Sequence, residues 1–520
     1  MKDVVWAVLS GVLTALCLPK PGLCPLAWVS LAPLLAAAGA AGTVRRASSL
    51  GWLAGFTFHG VALYWVYFTC RFAGLGPWLA AAAWGGLAAL LGLNWGLIAG
   101  LGRALGGARS AAVRPWSWAV VWTAVSWGFE GSPRLAADLL AYTQYKNLAL
   151  VQIGSILGPH ALGFLIVAAN SFVVELSQGP PAGGRAAGGP LAVSRAAGGS
   201  SLPPGLAGTG AILIALITGA WMYGTVCLVR RTLAPAPETP ARVWILQPAV
   251  DQYRKWDERF AREISEGFAA LLSQPAERGP DLSVWPESSL PFMTAEGGEA
   301  PVASAWSRKL RAWQWVGAIT EADGSIRNSV LRVAPTGRVE GAYHKRRLVP
   351  FGEFVPISFL RRYVGILNEL GETESGAWRQ NPAPTPLGPA AAQICYEATF
   401  PELARRDAAA GAALIINVTN DGWYKDTAGP IQHFYTNLFR AVENRVTVIR
   451  AANTGISGVI DPWGVVTARL GLGERGRLEA DVDREPPFPR GSFYSRHGDS
   501  VGPASLLIVA LLLARRRGAG

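Results

Sequence analysis

The stretch AAQICYEATFPELARRDAAA (391–410) predicts a strand, a sharp turn and a helix in close succession. Mostly apolar residues precede Cys395, and Pro401 suits the first turn of a helix. A cysteine at such a turn can present its sulfur at the edge of a sheet, where nearby amides and a helix N-terminus stabilise negative charge. A lone cysteine is more often a small buried apolar residue than a nucleophile, so the neighbouring segments must decide its role.

Strand-like and helix-like segments alternate on both sides of this turn. Strands are predicted at 241–248, 284–288, 315–320, 328–335 and 413–420. After the first strand, Trp256, Phe260, Ile264 and Phe268 recur every fourth residue and form one apolar helix face. This alternation predicts a layered α/β domain, which we place at residues 241–498.

The rest of the chain is much more apolar. In the 520 residues, only 16% are charged, half are hydrophobic and the mean hydropathy is +0.25, whereas an average soluble domain is roughly 25% charged. Because a membrane-spanning helix needs about 20 mainly apolar residues, we predict eight spans, some from short runs. The runs lie near 4–17, 24–41, 49–70, 77–102, 116–131, 149–177, 206–228 and 502–514. The predicted parts are transmembrane helices 1–7 (1–232), a linker (233–240), the α/β domain (241–498) and transmembrane helix 8 with a basic tail (499–520).

Basic residues in the short loops predict the orientation of these spans. Loops on the side of the N-terminus carry the larger share, and cytoplasmic loops are usually enriched in Lys and Arg. This share includes Arg45, Arg46, Arg103, Arg109, Arg114, Arg515, Arg516 and Arg517. We therefore expect both termini to be cytoplasmic and the α/β domain to lie outside the cytoplasm, although Arg230 and Arg231 oppose this assignment.

Charge and cysteine usage exclude several classes of function. The net charge of +12 is not concentrated in Lys/Arg blocks with interleaved aromatic residues, so we expect anionic lipid headgroups and no nucleic acid as its partner. Cys395 is the only one of the five cysteines outside the apolar runs and their margins. Without a second cysteine in that domain or a Cys/His cluster, we predict neither a disulfide there nor a metal or other cofactor.

Two further segments supply carboxylates and an ammonium group. VWPESSLPF (284–292) places Glu287 at a strand end, and YHKRRLVPFGEFVP (343–356) carries Lys345 and Glu353. A thiol nucleophile needs a base, the oxyanion formed in acyl transfer needs a cation, and a second carboxylate can hold that cation in place.

Spacing alone leaves plainer interpretations of these residues open. Glu287 can be a surface residue after a strand, and Lys345 can belong to a solvated basic face. His344 and His433 would permit a Cys-His arrangement instead.

These segments resemble the Glu-Lys-Cys catalytic set of the nitrilase superfamily. Almost the whole chain resembles the apolipoprotein N-acyltransferase family, the membrane-integrated branch of that superfamily. The resemblance is carried by YxKxxLVPFGEFVP (343–356), WPES (285–288), ICYE (394–397), NDGWY…GPIQH (420–433), RAANTGISGVIDPWG (450–464) and FYSRHGD (493–499). It implies an eight-helix transmembrane domain and a nitrilase-like αββα sandwich inserted before the last helix.

The resemblance also implies roles for individual residues. Glu287 would be the general base, Lys345 the oxyanion stabiliser and Cys395 the nucleophile. Supporting residues would be Glu353, Tyr396 and Glu397, and the candidate substrate-binding residues are Trp256, Trp423 and Tyr424. One departure from the family pattern is Gly422-Trp423-Tyr424-Lys425, where the family more often has Ala-Trp-Phe-Gly.

The reaction implied by the resemblance has two steps and needs no cofactor. A phosphatidylethanolamine-like phospholipid gives its sn-1 acyl chain to the cysteine, and the α-amino group of an apolipoprotein's diacylglyceryl-cysteine then accepts it. The expected location is the bacterial inner membrane, and the expected state is a monomer. Residues 354–367 would be either a packed helix or a flap that dips into the bilayer. Two alternatives remain, a membrane-tethered amidohydrolase and an inactive module that binds lipoproteins.

Overall fold

The computed structural model describes most of the chain. The described residues are 1–106, 109–129, 139–178, 203–235, 239–255, 257–295, 298, 300–322, 324–354, 373–484, 487–488 and 491–517. Trp256 and residues 355–367 of the predicted flap lie outside this set.

The apolar runs of the sequence all contain helical residues. The helices are α1 (Lys2–Leu16), α2 (Ala32–Ala40), α3 (Val44–Ala62), α4 (Trp65–Phe72), α5 (Pro77–Gly106), α6 (Arg114–Gly128), α7 (Leu148–Val151), α8 (Gly154–Leu157), α9 (His160–Gln178), α10 (Leu206–Leu233) and, at the C-terminus, α16 (Val501–Arg517). Within the described residues, α5, α9 and α10 are long and apolar enough to cross a membrane. The pair α3 and α4 would add a fourth span, but it bends by 55°.

Several predicted spans are interrupted, and polar groups stabilise the breaks. The run 24–41 divides into a short 3₁₀ helix (Cys24–Trp28) and α2. Around the break between them, the side chain of Asn170 on α9 forms hydrogen bonds with the backbone. Its oxygen accepts hydrogen bonds from the amides of Leu31 (2.7 Å) and Ala32 (3.0 Å), and its nitrogen donates to the carbonyl of Ala27 (2.8 Å). Irregular backbone is tolerated in an apolar setting only when its polar groups are paired in this way.

The α/β domain contains two sheets. Its strands are β1 (Ala241–Gln247), β2 (Leu282–Val284), β3 (Thr294–Ala295), β4 (Trp313–Ala322), β5 (Ser325–Val333), β6 (Val339–His344), β7 (Ala390–Ile394), β8 (Leu414–Thr419), β9 (Thr447–Ala452), β10 (Ser457–Ile460), β11 (Val466–Leu470) and β12 (Gly476–Val482). The first sheet has the order β12-β1-β2-β4-β5-β6, with β3 paired to β4, and the second has the order β11-β10-β9-β8-β7. The predicted layered α/β architecture is therefore confirmed.

Helices cover the outer faces of both sheets. They are α11 (Ala261–Leu272), α12 (Pro301–Leu310), α13 (Pro401–Ala409) and α14 (Gly429–Asn444), and the short helix α15 (Phe493–His497) packs on α13 and α14. Alternate residues of β1 show the layering, because Val243 and Ile245 lie in the core between the sheets while Trp244 and Leu246 pack with α11. The apolar helices α1–α10 and α16 are called the membrane-type helices below. Apolar residues of α14, such as Leu438, belong to the same buried cluster as these helices.

The α/β domain contacts the membrane-type helices beside α4. The Trp65 indole donates to Gln432 Oε1 (3.1 Å), and the Thr69 hydroxyl donates to the carbonyl of Trp423 (3.2 Å). The amide of Ala428 donates to the Tyr64 hydroxyl at 3.1 Å. These bonds bring residues 423–432 against the short helix that follows the bend.

Close packing of α10 on α7 can be tested with Gly224→Ala. A Cβ at Gly224 would overlap the carbonyl oxygen of Ala149, whereas a Cβ at Gly219, on the same helix, meets no atom within 4 Å. We expect Gly224→Ala to cost about 1–3 kcal/mol of stability and Gly219→Ala to cost nothing measurable. Thermal unfolding of the two purified variants in detergent measures this difference. Equal melting temperatures would contradict the packing described here.

Candidate active site

Cys395 occupies a sharp, strained turn at the end of β7. Its φ is +50°, a region that residues other than glycine seldom adopt, and a 3₁₀ helix (Cys395–Thr399) begins at it. Such a conformation costs about 1–3 kcal/mol and persists only when the surroundings impose it. Here His433 Nε2 donates to the carbonyl of Cys395 (2.9 Å), and Glu397 accepts from the amide of Ile394 (2.7 Å). Both neighbours hold the turn that carries the sulfur.

The expected carboxylates and ammonium group form one buried cluster. Lys345 Nζ lies 2.8 Å from Glu353 Oε1 and 3.5 Å from Glu287 Oε1, and the lysine is 1% exposed. Asn328 Nδ2 donates to both carboxylates, at 2.7 Å to Glu287 and 3.1 Å to Glu353. The second oxygen of Glu287 accepts from the amide of Asn420 at 2.8 Å. The fold thus brings together groups that the sequence could only suggest as partners.

The cluster and Cys395 influence each other electrostatically. Burial raises the pKa of the Cys395 thiol to about 12, with a further rise from the charge of Glu287 and opposing effects of Lys345 and a hydrogen bond with Thr419. Burial disfavours the charge on Lys345, but the carboxylates of Glu353 and Glu287 outweigh it and raise the pKa of the ammonium. The resting site therefore holds a neutral thiol and a charged lysine. The sulfur can attack only if its proton is transferred to an acceptor.

Glu397 connects the turn of Cys395 to the segment of Lys345. Its carboxylate is fully buried and accepts from the amides of Ile394 (2.7 Å), Arg346 (2.6 Å) and Arg347 (3.1 Å) and from the Tyr343 hydroxyl (2.7 Å). Burial raises its pKa above the ordinary range. One side chain thus sets the position of two candidate catalytic residues. The neighbouring Tyr396 is buried and packs edge-on against Phe400.

Sequence comparisons identify relatives of both parts of the chain. Residues 249–486 match the family model described as carbon-nitrogen hydrolase, and residues 10–172 match the model of the apolipoprotein N-acyltransferase N-terminal domain. The apolipoprotein N-acyltransferase of Geobacter metallireducens is 34% identical, with 99% of this chain and 96% of that protein covered.

This chain belongs to the apolipoprotein N-acyltransferase family.

Two other family members have similar coverage. The proteins with that name from Caulobacter vibrioides and Agrobacterium fabrum are 31% and 32% identical, covering 98% and 93% of this chain and 94% and 90% of their own lengths. The α/β domain is accordingly a nitrilase-like carbon-nitrogen hydrolase domain.

The two described substrate-binding candidates lie in different surroundings. Trp423 is 40% exposed, with its ring 6.0 Å from that of Phe72 on α4. Tyr424 is half-buried between Trp65 (4.9 Å) and His433 (6.3 Å). Trp423 can therefore meet a ligand at the surface, while Tyr424 mainly fills the space between α4 and the site.

The departure from the family pattern has a structural counterpart at Lys425. This residue has a φ of +51°, and its ammonium lies 3.7 Å from the centre of the Phe72 ring. A cation over an aromatic face is stabilised by the ring quadrupole. The loop thus contacts α4 through a residue that replaces the more usual glycine.

The two histidines of the Cys-His alternative make hydrogen bonds to groups other than the Cys395 sulfur. His433 uses Nε2 for the carbonyl of Cys395 and Nδ1 for Asp421 Oδ1 (2.9 Å), while Arg450 binds the other oxygen of Asp421 at 2.8 Å. Burial alone would raise the pKa of Asp421, but Arg450 and His433 lower it to about 2. His344 lies at the end of β6, where Nδ1 is 2.8 Å from the Ser329 hydroxyl. Both ring nitrogens of His433 are thus engaged by groups other than the Cys395 sulfur.

Sequence reasoning missed several groups that complete the site. Asn328 and Lys255 lie outside the quoted motifs, and Asn420, Asp421 and Arg450 lie within the motifs at 420–433 and 450–464, which assigned no role to single residues. Lys255 is next to Trp256, which the resemblance did select. Lys255 is 4% exposed, and its ammonium donates to the carbonyl of Glu287 at 2.7 Å.

Glu397→Gln tests whether Glu397 holds the turn of Cys395 and the segment of Lys345 in position. The amide would direct its own N–H groups towards backbone N–H donors, leaving some of them without an acceptor. We expect a loss of at least about 2 kcal/mol in the free energy of unfolding, together with reduced acyl transfer. Thermal unfolding and activity of the purified variant measure these effects. Glu266→Gln, on the exposed face of α11, is the control, and equal behaviour of the two variants would refute the role.

Proposed function

We propose that this protein transfers an acyl chain from a phospholipid to the α-amino group of the N-terminal diacylglyceryl-cysteine of apolipoproteins. The proposal is carried by the full-length family relationship together with a strained cysteine beside a buried carboxylate–ammonium cluster. The same geometry is suited to acyl transfer through a thioester.

In the first half-reaction, Glu287 accepts the thiol proton while Cys395 attacks the sn-1 ester carbon of a phosphatidylethanolamine-like lipid. The ammonium of Lys345 stabilises the oxyanion, and Glu353 keeps that ammonium charged and oriented. When the carbon–oxygen bond breaks, Glu287 returns the proton to the departing glyceryl oxygen. The products are a lysophospholipid and an acyl-thioester on Cys395.

In the second half-reaction, the neutral α-amino group of the apolipoprotein attacks the thioester carbon. Glu287 accepts a proton from the attacking nitrogen and gives it to the sulfur as the carbon–sulfur bond breaks. The product is an amide, and the thiol is regenerated. Exclusion of water during the lifetime of the thioester separates this reaction from phospholipid hydrolysis.

The remaining site residues have supporting roles in this proposal. Tyr396 and Glu397 position the nucleophile, and Trp256, Trp423 and Tyr424 are the candidate substrate-binding residues. Exposed aromatic and apolar residues beside the domain, such as Phe68 and Tyr253, support a lipid-facing approach.

The proposed setting is the bacterial inner membrane. The chain would have eight spans, both termini in the cytoplasm, and a catalytic domain (241–498) on the extracytoplasmic side. Several apolar helices and the loop arginines support this placement. Both substrates are then anchored in the bilayer, so the sulfur needs to reach only headgroup depth.

An acyl-enzyme measurement tests the proposal. The purified protein is incubated with one chemically defined phospholipid, and peptides containing Cys395 are analysed by mass spectrometry. We expect a fatty-acyl adduct on Cys395 that disappears when a diacylglyceryl lipopeptide is added. Cys395→Ala is the control and should show no adduct.

The other outcomes identify the alternatives. Absence of an adduct, with hydrolysis of small amides, would favour the amidohydrolase. Normal lipoprotein acylation in cells that carry only Cys395→Ala would favour a binding module.

Glu287→Gln separates the charge of Glu287 from its proposed action as a base. Because the carboxylate raises the pKa of the Cys395 thiol, the variant should form the thiolate at lower pH. Acyl transfer should nevertheless fall by about 100-fold or more, since the base is lost. The pH dependence of iodoacetamide alkylation, in a background with the other four cysteines replaced by alanine, reports the thiolate. An unchanged transfer rate would exclude Glu287 as the base.

A further inference from the structure

Lys255 is a second buried lysine beside the proposed nucleophile. It follows β1 in the chain, and its ammonium donates to the backbone carbonyl of Glu287 at 2.7 Å. Among the residues that the structure describes, no carboxylate oxygen lies within 4 Å of this ammonium. Its charge is therefore balanced at longer range, by the carboxylate of Glu287.

The segment that carries Lys255 is fixed to the walls of the site. Val250 exchanges two hydrogen bonds with the Asn453 side chain, at 3.0 and 2.8 Å, and Gln252 Oε1 accepts from Asn420 Nδ2 at 2.5 Å. Asn420 also donates its amide to Glu287. The lysine is thus placed by a rigid network that includes the proposed base.

A charge count shows what Lys255 contributes. Glu287, Glu353 and Lys345 together carry one net negative charge in a buried cluster, and ionisation of the Cys395 thiol would add a second. Buried net charge is unfavourable unless opposite charge lies nearby. With the ammonium of Lys255 included, the cluster is neutral with the thiol and singly negative with the thiolate.

We propose that Lys255 is a positioning residue that orients Glu287 through its peptide carbonyl and offsets the carboxylate charge so that Cys395 can ionise. The inference rests on the proposed acyl transfer, but its effect on the thiol can be measured without substrate. Both roles act on the same step, the ionisation of the Cys395 thiol to the attacking thiolate.

The pKa of Lys255 predicts a pH dependence for this step. Burial lowers it to about 8, although the charges of Glu287 and Cys395 act in the opposite direction. The lysine is charged below this pH and neutral above it. The first half-reaction should therefore slow as the pH rises through about 8, whereas Lys345, whose pKa is raised, stays charged.

Two substitutions of Lys255 in the full-length protein test the inference. Lys255→Met removes the charge, and we expect both the alkylation of Cys395 and acyl-enzyme formation at pH 7, where Lys255 is charged in the wild type, to slow about tenfold. Lys255→Arg keeps a charge at all accessible pH values, so the decline of acylation above pH 8 should disappear. Lys309→Met, an exposed lysine on α12, is the control and should match the wild type.

Both measurements use protein in detergent with the other four cysteines replaced by alanine, and a defined phospholipid as acyl donor. Unchanged alkylation and acylation profiles in Lys255→Met would overturn the inference. If that variant does not fold, the arginine variant decides, since an alkaline decline identical to the wild type would overturn it equally. Failure of the wild type to form any acyl-enzyme would instead refute the proposed function, while the alkylation profiles would still test Lys255.

Discussion

The ammonium of Lys345, held between the buried carboxylate of Glu287 and the half-buried carboxylate of Glu353, is the interaction around which the site is organised. Removing charges from water is costly, and it is tolerable only when opposite charges and hydrogen-bond donors surround them. Asn328 bridges the two carboxylates, and the amide of Asn420 takes the remaining oxygen of Glu287. The strands and loops that supply these groups must be positioned closely enough for these hydrogen bonds to form. Burial, together with the charge of Glu287, keeps the nearby thiol protonated at rest, and Glu287 is also a candidate acceptor for its proton.

A second constraint is the strained backbone of Cys395. The turn is held from one side by Glu397 and from the other by His433, which is itself fixed by Asp421 and Arg450. His433 belongs to α14, and other residues of α14 pack into the cluster of the membrane-type helices. The nucleophile and the membrane part of the chain are therefore coupled through one helix. This coupling offers a physical reason for an enzyme of membrane-bound substrates to keep both parts in one chain.

Local patterns predicted the α/β domain well and the apolar helices only in outline. The segment 413–420 corresponds to β8, and the segment 241–248 to β1. The strand predicted at 284–288 overlaps β2 only at Val284, since Pro286 has no amide hydrogen with which to continue the pairing. The spans were harder to predict because an apolar run does not show where its helix will break. Asn170, which stabilises one break, is 138 residues from Ala32 in the chain.

The sequence by itself determined the chemical groups of this protein and its family. Motifs such as YHKRRLVPFGEFVP and QICYEATFPE combine rare residue types at fixed spacing, and that information survives without coordinates. Only the tertiary structure decided which groups meet. Lys345 and Glu287 are 58 residues apart, and their contact depends on how β2, β5 and β6 align within one sheet. The orientation of His433 towards a carbonyl and the burial of Lys255 were likewise settled by packing between distant segments, which no local periodicity encodes.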